Sequence, residues 1–152
     1  MHISAKSDYA VRALAELTAT AGSGFVTVEQ LAARQDLPTK FLETIFTELR
    51  KDGVVISRRG VDGGYRLARE AAEISVADVI RAVDGPLAAV RGLRPEDTEY
   101  AGAAEALPQV WVALRAAVRE VLESVSMADL VAGHMPARVS ELTTVPSAWH
   151  RR

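Results

Sequence analysis

The sequence predicts a mainly α-helical fold with one small β-hairpin and a long helix in its C-terminal half. Three observations carry this expectation. Apolar residues recur at helical spacing through the first 50 positions and again after position 104. A single β-branched run, Val54, Val55 and Ile56, is followed by a glycine-rich turn and then Tyr65, Arg66 and Leu67. Charge is also segregated: residues 38–69 hold seven basic side chains against four acids, a net of +3, on a chain whose total is −2. A face of that kind suits a polyanion, to which the total charge alone would not draw the molecule.

The first helix is expected over about residues 4–20, where Ala10, Ala13, Leu14 and Leu17 fall at i, i+3, i+4 and i+7 before Gly22 and Gly24. The second opens at Thr27, which stands at capping-box distance from Gln30, and buries Val28, Leu31 and Ala32. A third opens at Pro38, where a missing N–H is tolerated, and closes before Gly53. Its inward stripe is Phe41, Leu42, Ile45, Phe46 and Leu49, leaving Thr39, Lys40, Glu43, Thr44 and Thr47 outside. Gly60, Gly63 and Gly64 give the hairpin the backbone freedom of a tight wing. Three helices followed by a hairpin is the order of a winged helix-turn-helix.

Ser75 and Asp78 suggest another cap, with Val76, Val79, Ile80 and Val83 on one side of a short helix that Gly85 and Pro86 end. A long helix then spans about residues 104–126. Leu107, Val110, Trp111, Leu114, Val118, Val121, Leu122 and Val125 form its apolar face over roughly five turns. The small winged unit cannot cover so wide a face, and a second copy of the same helix is the simplest cover. These residues are the expected dimerisation surface. The organisation expected is therefore a winged unit over 1–86, a connecting or sensing loop over 87–103, a dimerisation region over 104–133 that ends in a short SMADLV helix, and a polar, flexible tail over 134–152.

Composition narrows the function classes. The 152 residues suffice for one domain with an appendage, and the absence of cysteine excludes disulfides, thiol nucleophiles and every thiolate-held metal or iron–sulfur cluster. The opening MHISAKSDYAVRAL is amphipathic rather than a signal peptide, and no apolar run reaches a membrane span, so a cytoplasmic protein is expected. No nucleophile motif or phosphate loop is present, and GVDGG lacks the strand–helix context of a nucleotide fingerprint, so no enzyme is expected. His2, His134 and His150 fit no local metal motif and are expected at the surface; no metal or cofactor is expected.

Double-stranded DNA is the polyanion these residues suit. Thr39, Lys40, Glu43 and Thr44 stand at the entry end of the third helix, where threonine meets a thymine methyl or phosphate, lysine a guanine edge, and glutamate a cytosine amino group. Arg58 and Arg59 before the wing glycines, Arg66 on the return strand and Arg50 at the end of the third helix suit a minor groove or phosphates. Asp62 would repel phosphate and is expected to turn away or cap the turn. The rival reading is an ordinary solvated face, or a winged helix used as a protein adaptor. At the junction of loop and long helix, Arg91, Arg94, Tyr100 and Trp111 make a candidate effector pocket for a small molecule, an anion or a partner protein. The plainer alternative has Trp111 filling the dimer core and Tyr100 shielding the loop.

SAKSDYAVRAL (4–14), KFLETIFTELRKDGVV (40–55), SRRGVDGGYRLAR (57–69) and ISVADVIRAVDGP (74–86) together resemble the Rrf family of bacterial winged-helix regulators, over about the first 86 residues. The resemblance implies DNA binding by a homodimer, a groove-contacting role for Arg59, and a phosphate-positioning role for the start of the first helix, with Lys6 as its cation. It also places the long helix where the family dimerises. Cluster-binding members carry three cysteines in the loop after the VDGP motif, and here that loop reads LAAVRGLRPEDTEYAGAA. Asp8 matches a carboxylate ligand of some relatives, but without thiolates it is expected to be a local cap or an intersubunit polar contact. The chain thus resembles a cysteine-free branch, expected to repress at a palindromic operator with half-sites about 10 base pairs, or a multiple of that, apart.

Overall fold

The computed structural model describes residues 2–150. Helix α1 (Ala5–Ala19) starts where Ser4 Oγ accepts the N–H of Ser7, and it buries Ala10, Ala13, Leu14 and Leu17. Helix α2 (Val28–Gln35) begins with the expected capping box, in which Thr27 and Gln30 satisfy each other's backbone N–H groups. It ends at Asp36, which takes the left-handed conformation at φ 52° without being glycine. Leu37 is buried, and its N–H closes the turn on Ala32 O at 2.9 Å. Helix α3 (Thr39–Lys51) follows at once, so α2 and α3 are joined by the three-residue turn of a helix-turn-helix.

Strands β1 (Val55–Arg58) and β2 (Gly64–Leu67) pair antiparallel with Val55 opposite Leu67 and Arg58 opposite Gly64. Val26 adds one further rung: Val26 and Tyr65 exchange both backbone hydrogen bonds, at 2.9 and 2.8 Å. The Tyr65 ring then meets Phe46 edge-on at 4.9 Å, which fixes the wing to the core. Helix α4 (Val76–Asp84) carries the expected Ser75–Asp78 capping box and stops at Gly85. Among the described residues the fold is thus mainly helical with one two-stranded hairpin, as expected.

The C-terminal half departs from expectation in four ways. Residues 87–103 are shaped rather than plain loop, with 3₁₀ turns at Pro95–Asp97 and Gly102–Ala104. Helix α5 (Leu107–Ser124) is shorter than expected, and Val125 lies beyond it, 6% exposed and inside the winged core. The reason is a return of the chain: Val76 N donates to Val125 O at 2.9 Å and Met127 N to Ile74 O at 2.8 Å. Helix α6 (Met127–Ala132) therefore packs against α1, with Met127 fully buried, and belongs to the same core as residues 1–86. The tail expected to be flexible contains helix α7 (Ala137–Thr144), which Arg138 ties to Glu120 of α5 at 3.0 Å, and a 3₁₀ turn at Pro146–Trp149.

None of the 18 residues of α5 is buried. Val118 and Leu122 are half-covered by Ala77, Ile80 and Leu87, so those two serve the protomer as well as any partner. Val110 and Leu114 remain 55% and 38% exposed on the other side. No helix among the described residues is long and apolar enough to cross a membrane.

Candidate nucleic-acid interface

Helix α3 divides cleanly into two faces. Leu42, Ile45, Phe46 and Leu49 are buried, whereas Lys40, Glu43 and Thr44 are exposed and Thr39 is half-buried. Phe41 corrects the expected stripe: it is 37% exposed at the helix edge, where its ring meets Tyr9 edge-on at 5.8 Å. Thr44 and Thr47 turn their hydroxyls back to Lys40 O and Glu43 O, at 3.5 and 3.0 Å. Each hydroxyl is thereby satisfied within the helix by back-bonding to the carbonyl four residues earlier.

The wing stands beside this face. A cleft of about 390 Å³ opens between the start of α2, the outer side of α3 and the wing, lined by Arg50, Arg58 and Arg59 together with Glu29 and Glu43. Arg50 Nη1 donates to Ser57 Oγ at 3.3 Å, so it lies along β1. Arg58 is turned inward, donating through Nε and Nη2 to Asp62 O at 3.2 and 2.6 Å. Arg58 and Arg66 both rest on the Phe25 ring, 4.5 and 5.0 Å from its centroid. Cation–π contact of this kind holds each guanidinium while leaving its rim free to donate. Arg59 is exposed and has no ion pair or side-chain hydrogen bond among the described residues.

Two glycines make the wing possible. A Cβ on Gly63 would lie 2.5 Å from Arg58 O, and one on Gly64 would lie 2.5 Å from Val26 O. Gly64 also sits at φ +137°, outside the range of ordinary side chains. Phe25 escaped the sequence reading because nothing local marks it; its role follows from the Val26–Tyr65 rung, which carries it under the wing.

Lys6 does not face outward as expected. Its ammonium donates to Val83 O at 2.6 Å and pairs with Glu48 Oε2 at 2.7 Å, an oxygen shielded from solvent whose contact is ionic rather than a formed hydrogen bond. Ser4 and Ser7 donate to Asp84 Oδ2, the latter at 2.6 Å. Burial pushes the Asp84 pKa up, but the two serine hydroxyls and the nearby Lys6 charge outweigh it and hold the carboxyl below its ordinary value. This cluster locks α1 to the end of α4 and to α3. Asp8 pairs with Arg12, four residues on in α1, at 3.3 Å, and the cap of that helix is Ser4.

At the loop–helix junction, Trp111 Nε1 donates to Tyr100 Oη at 3.1 Å and Arg91 lies over the Tyr100 ring at 5.5 Å. These three close on one another rather than around a cavity. Arg94 instead lines a separate cavity of about 650 Å³ together with Arg81, Arg115 and Arg119, which the sequence reading did not single out.

The profile of the Rrf2 family, described as iron-dependent transcriptional regulators, matches residues 3–133. The chain is 49% identical over 142 residues to a Mycobacterium tuberculosis (strain H37Rv) protein named as an HTH-type transcriptional regulator, covering 93% of this chain and 88% of the other. It is 35% identical over 130 residues to CymR of Bacillus subtilis, covering 86% and 89% of the two chains. The solved structure of CymR, described as the global cysteine regulator of B. subtilis, superposes with a TM-score of 0.74 at 33% identity, covering 88% of this chain and 98% of that one. T. potens IscR superposes with a TM-score of 0.69 at 30% identity, over 100% and 93%. The iron in the family's description finds no fit here: the sequence has no thiolate, and no three His, Asp or Glu are grouped to hold a metal among the described residues. His2 and His134 are both exposed and far apart in sequence. With its winged helix-turn-helix, its exposed polar recognition face and this match over most of its length, the chain belongs to the Rrf2 family of DNA-binding transcriptional regulators and is not an enzyme.

Proposed function

We propose that the chain is a homodimeric repressor that binds a palindromic operator without an iron–sulfur cluster. Each protomer lays the N-terminal half of α3 in a major groove, with Thr39, Lys40, Glu43 and Thr44 toward base edges and Arg50 and Arg59 toward phosphates or the minor groove. Arg58 and Arg66, held on Phe25, stiffen the wing and add charge beside the backbone. The observation that carries this reading is co-location: Glu43 and Arg50 of α3 and the unpaired Arg59 of the wing line one cleft. Dimerisation is supported by α5, an amphipathic helix with no fully buried residue in its own protomer, which leaves Val110 and Leu114 exposed for a second copy beside the half-buried Val121. Leu107 and Trp111 extend that face toward the loop, and the cavity beside α5 favours control by a small effector there.

Selection of genomic DNA with purified protein, followed by titration at two salt concentrations, tests the proposal. A palindrome is expected, with affinity falling steeply as salt rises. Arg59→Ala should weaken operator binding by about 1–3 kcal/mol. Unchanged affinity for that variant removes the wing from the interface. Failure to enrich any duplex leaves the winged helix as a protein-binding adaptor.

A further inference from the structure

The cavity between the end of α4, the loop and α5 is lined by four guanidiniums, from Arg81, Arg94, Arg115 and Arg119, against two carboxylates, Glu96 and Glu123. Glu123 serves two of them, pairing with Arg81 and with Arg119 Nε at 2.9 Å. Glu96 Oε2 serves Arg115 at 2.5 Å. Arg94 makes no ion pair among the described residues. The lining therefore carries two more guanidiniums than carboxylates, Arg81 having a further acid, Asp78, at 3.8 Å, and the Arg115 side chain is only 22% exposed. Leu87 and Leu93 add an apolar floor. At about 650 Å³ the space lies within the range of small-molecule sites.

The loop is held open rather than collapsed onto these arginines. Val90 and Leu93 exchange backbone hydrogen bonds at 3.0 and 2.9 Å around Arg91 and Gly92, both at positive φ (53° and 78°). That is the twist of a two-residue hairpin turn, and Arg91 bears the strain of it without being glycine. Ala88 is likewise held at φ 56°. Two non-glycine residues in the left-handed region within one short loop mean that its shape is imposed by its surroundings.

From this geometry we infer that the cavity binds a small organic anion, whose carboxylate or phosphate engages Arg94 with a neighbouring guanidinium while its apolar body lies on Leu87 and Leu93. Planar, forked guanidiniums suit both oxyanions, and a partly desolvated cluster strengthens the pairing. The anion competes with Glu123 for Arg81 and Arg119. The Arg81–Glu123 pair joins α4 to α5, so occupancy changes how the dimer helix lies on the winged unit. This inference deepens the effector reading of the junction and rests on it.

Calorimetric titration of the full chain with inorganic phosphate, succinate and phenyl phosphate tests it. Succinate or phenyl phosphate should saturate one site per chain, at least about tenfold more tightly than inorganic phosphate, and which of them does so separates the carboxylate from the phosphate class. Arg94→Gln should weaken that binding by about tenfold or more without changing thermal unfolding, and Arg59→Gln should leave it unaltered. No saturable heat up to about 10 mM of any probe overturns the inference, as does inorganic phosphate binding equally well. Binding that survives both Arg94→Gln and Arg119→Gln, or that is lost in Arg59→Gln, places the anion elsewhere and also overturns it. A probe that binds as expected yet leaves operator affinity unchanged overturns the effector reading alone.

Discussion

Replacing Gly64 by alanine should unseat the wing, and the structure sets the size of the effect. The new Cβ would lie 2.5 Å from Val26 O and 2.6 Å from Val26 C, atoms of backbone rather than of a side chain that swings away. Relief requires β2 to separate from Val26, which breaks the two hydrogen bonds that Val26 exchanges with Tyr65. Each contributes about 0.5–1.5 kcal/mol, and alanine at φ +137° adds about 1–3 kcal/mol of backbone strain. Because separation also relaxes some strain, the combined destabilisation should be about 2–4 kcal/mol. Urea denaturation reads it directly: with a slope of about 2 kcal/mol per molar, the midpoint should fall by about 1–2 M. Gly60→Ala is the control, since Gly60 has φ +103° but open space where a Cβ would go. That variant should lose about 1–2 kcal/mol from strain alone. A Gly64→Ala midpoint indistinguishable from the parent, or a Gly60→Ala loss as large as that of Gly64→Ala, would refute the claim that close backbone approach is what requires this glycine.

Three further outcomes test other parts of the structure. Lys6→Met should destabilise the fold by about 1–3 kcal/mol by stranding the shielded Glu48 oxygen, yet leave the salt dependence of operator binding unchanged; a reduced salt slope would return Lys6 to the DNA face. Asp84 has its folded pKa lowered, so its contribution is present above the unfolded value of about 3.9 and is lost as pH falls below that range. Asp84→Asn should accordingly flatten the decline in thermal stability between neutral and strongly acid pH, and an unaltered decline would show that other carboxylates govern it. Leu114→Asp places a charge on the exposed stripe of α5 and should convert dimer to monomer in sedimentation velocity with unfolding little changed, because Leu114 is 38% exposed in the protomer; a persistent dimer moves the interface elsewhere.

Much of the fold was legible in local spacing. The Thr27–Gln30 and Ser75–Asp78 caps, the buried stripe of α1 and the glycine-framed hairpin all depend on residues within a few positions of each other, and each is found where its pattern predicts. Helix α7 was missed because a short polar segment with proline on both sides has no strong period, and its ion pair with Glu120 is not local. Exposed candidates such as Lys40 and Glu43 were readable because a polar residue opposite an apolar stripe must face away from the core.

The sequence by itself determined the order and type of the main elements, the basic face of the winged unit and the absence of thiolate chemistry, because these follow from periodicity, composition and residue identity. Only the tertiary structure decided which charges are free. Lys6 meets Val83 across 77 positions, and Ser7 meets Asp84 across the same interval, so a lysine suited to phosphate becomes an internal strut. The same holds at the other end: Val125 continues the helical stripe of α5, yet chain return against Ile74 and Val76 puts it in the core. It also gathers Arg81, Arg94, Arg115 and Arg119 from three separate segments around one cavity. Spacing encodes neighbours along one element, whereas ion-pair partners and cavities arise where distant elements meet, and no local pattern records that meeting.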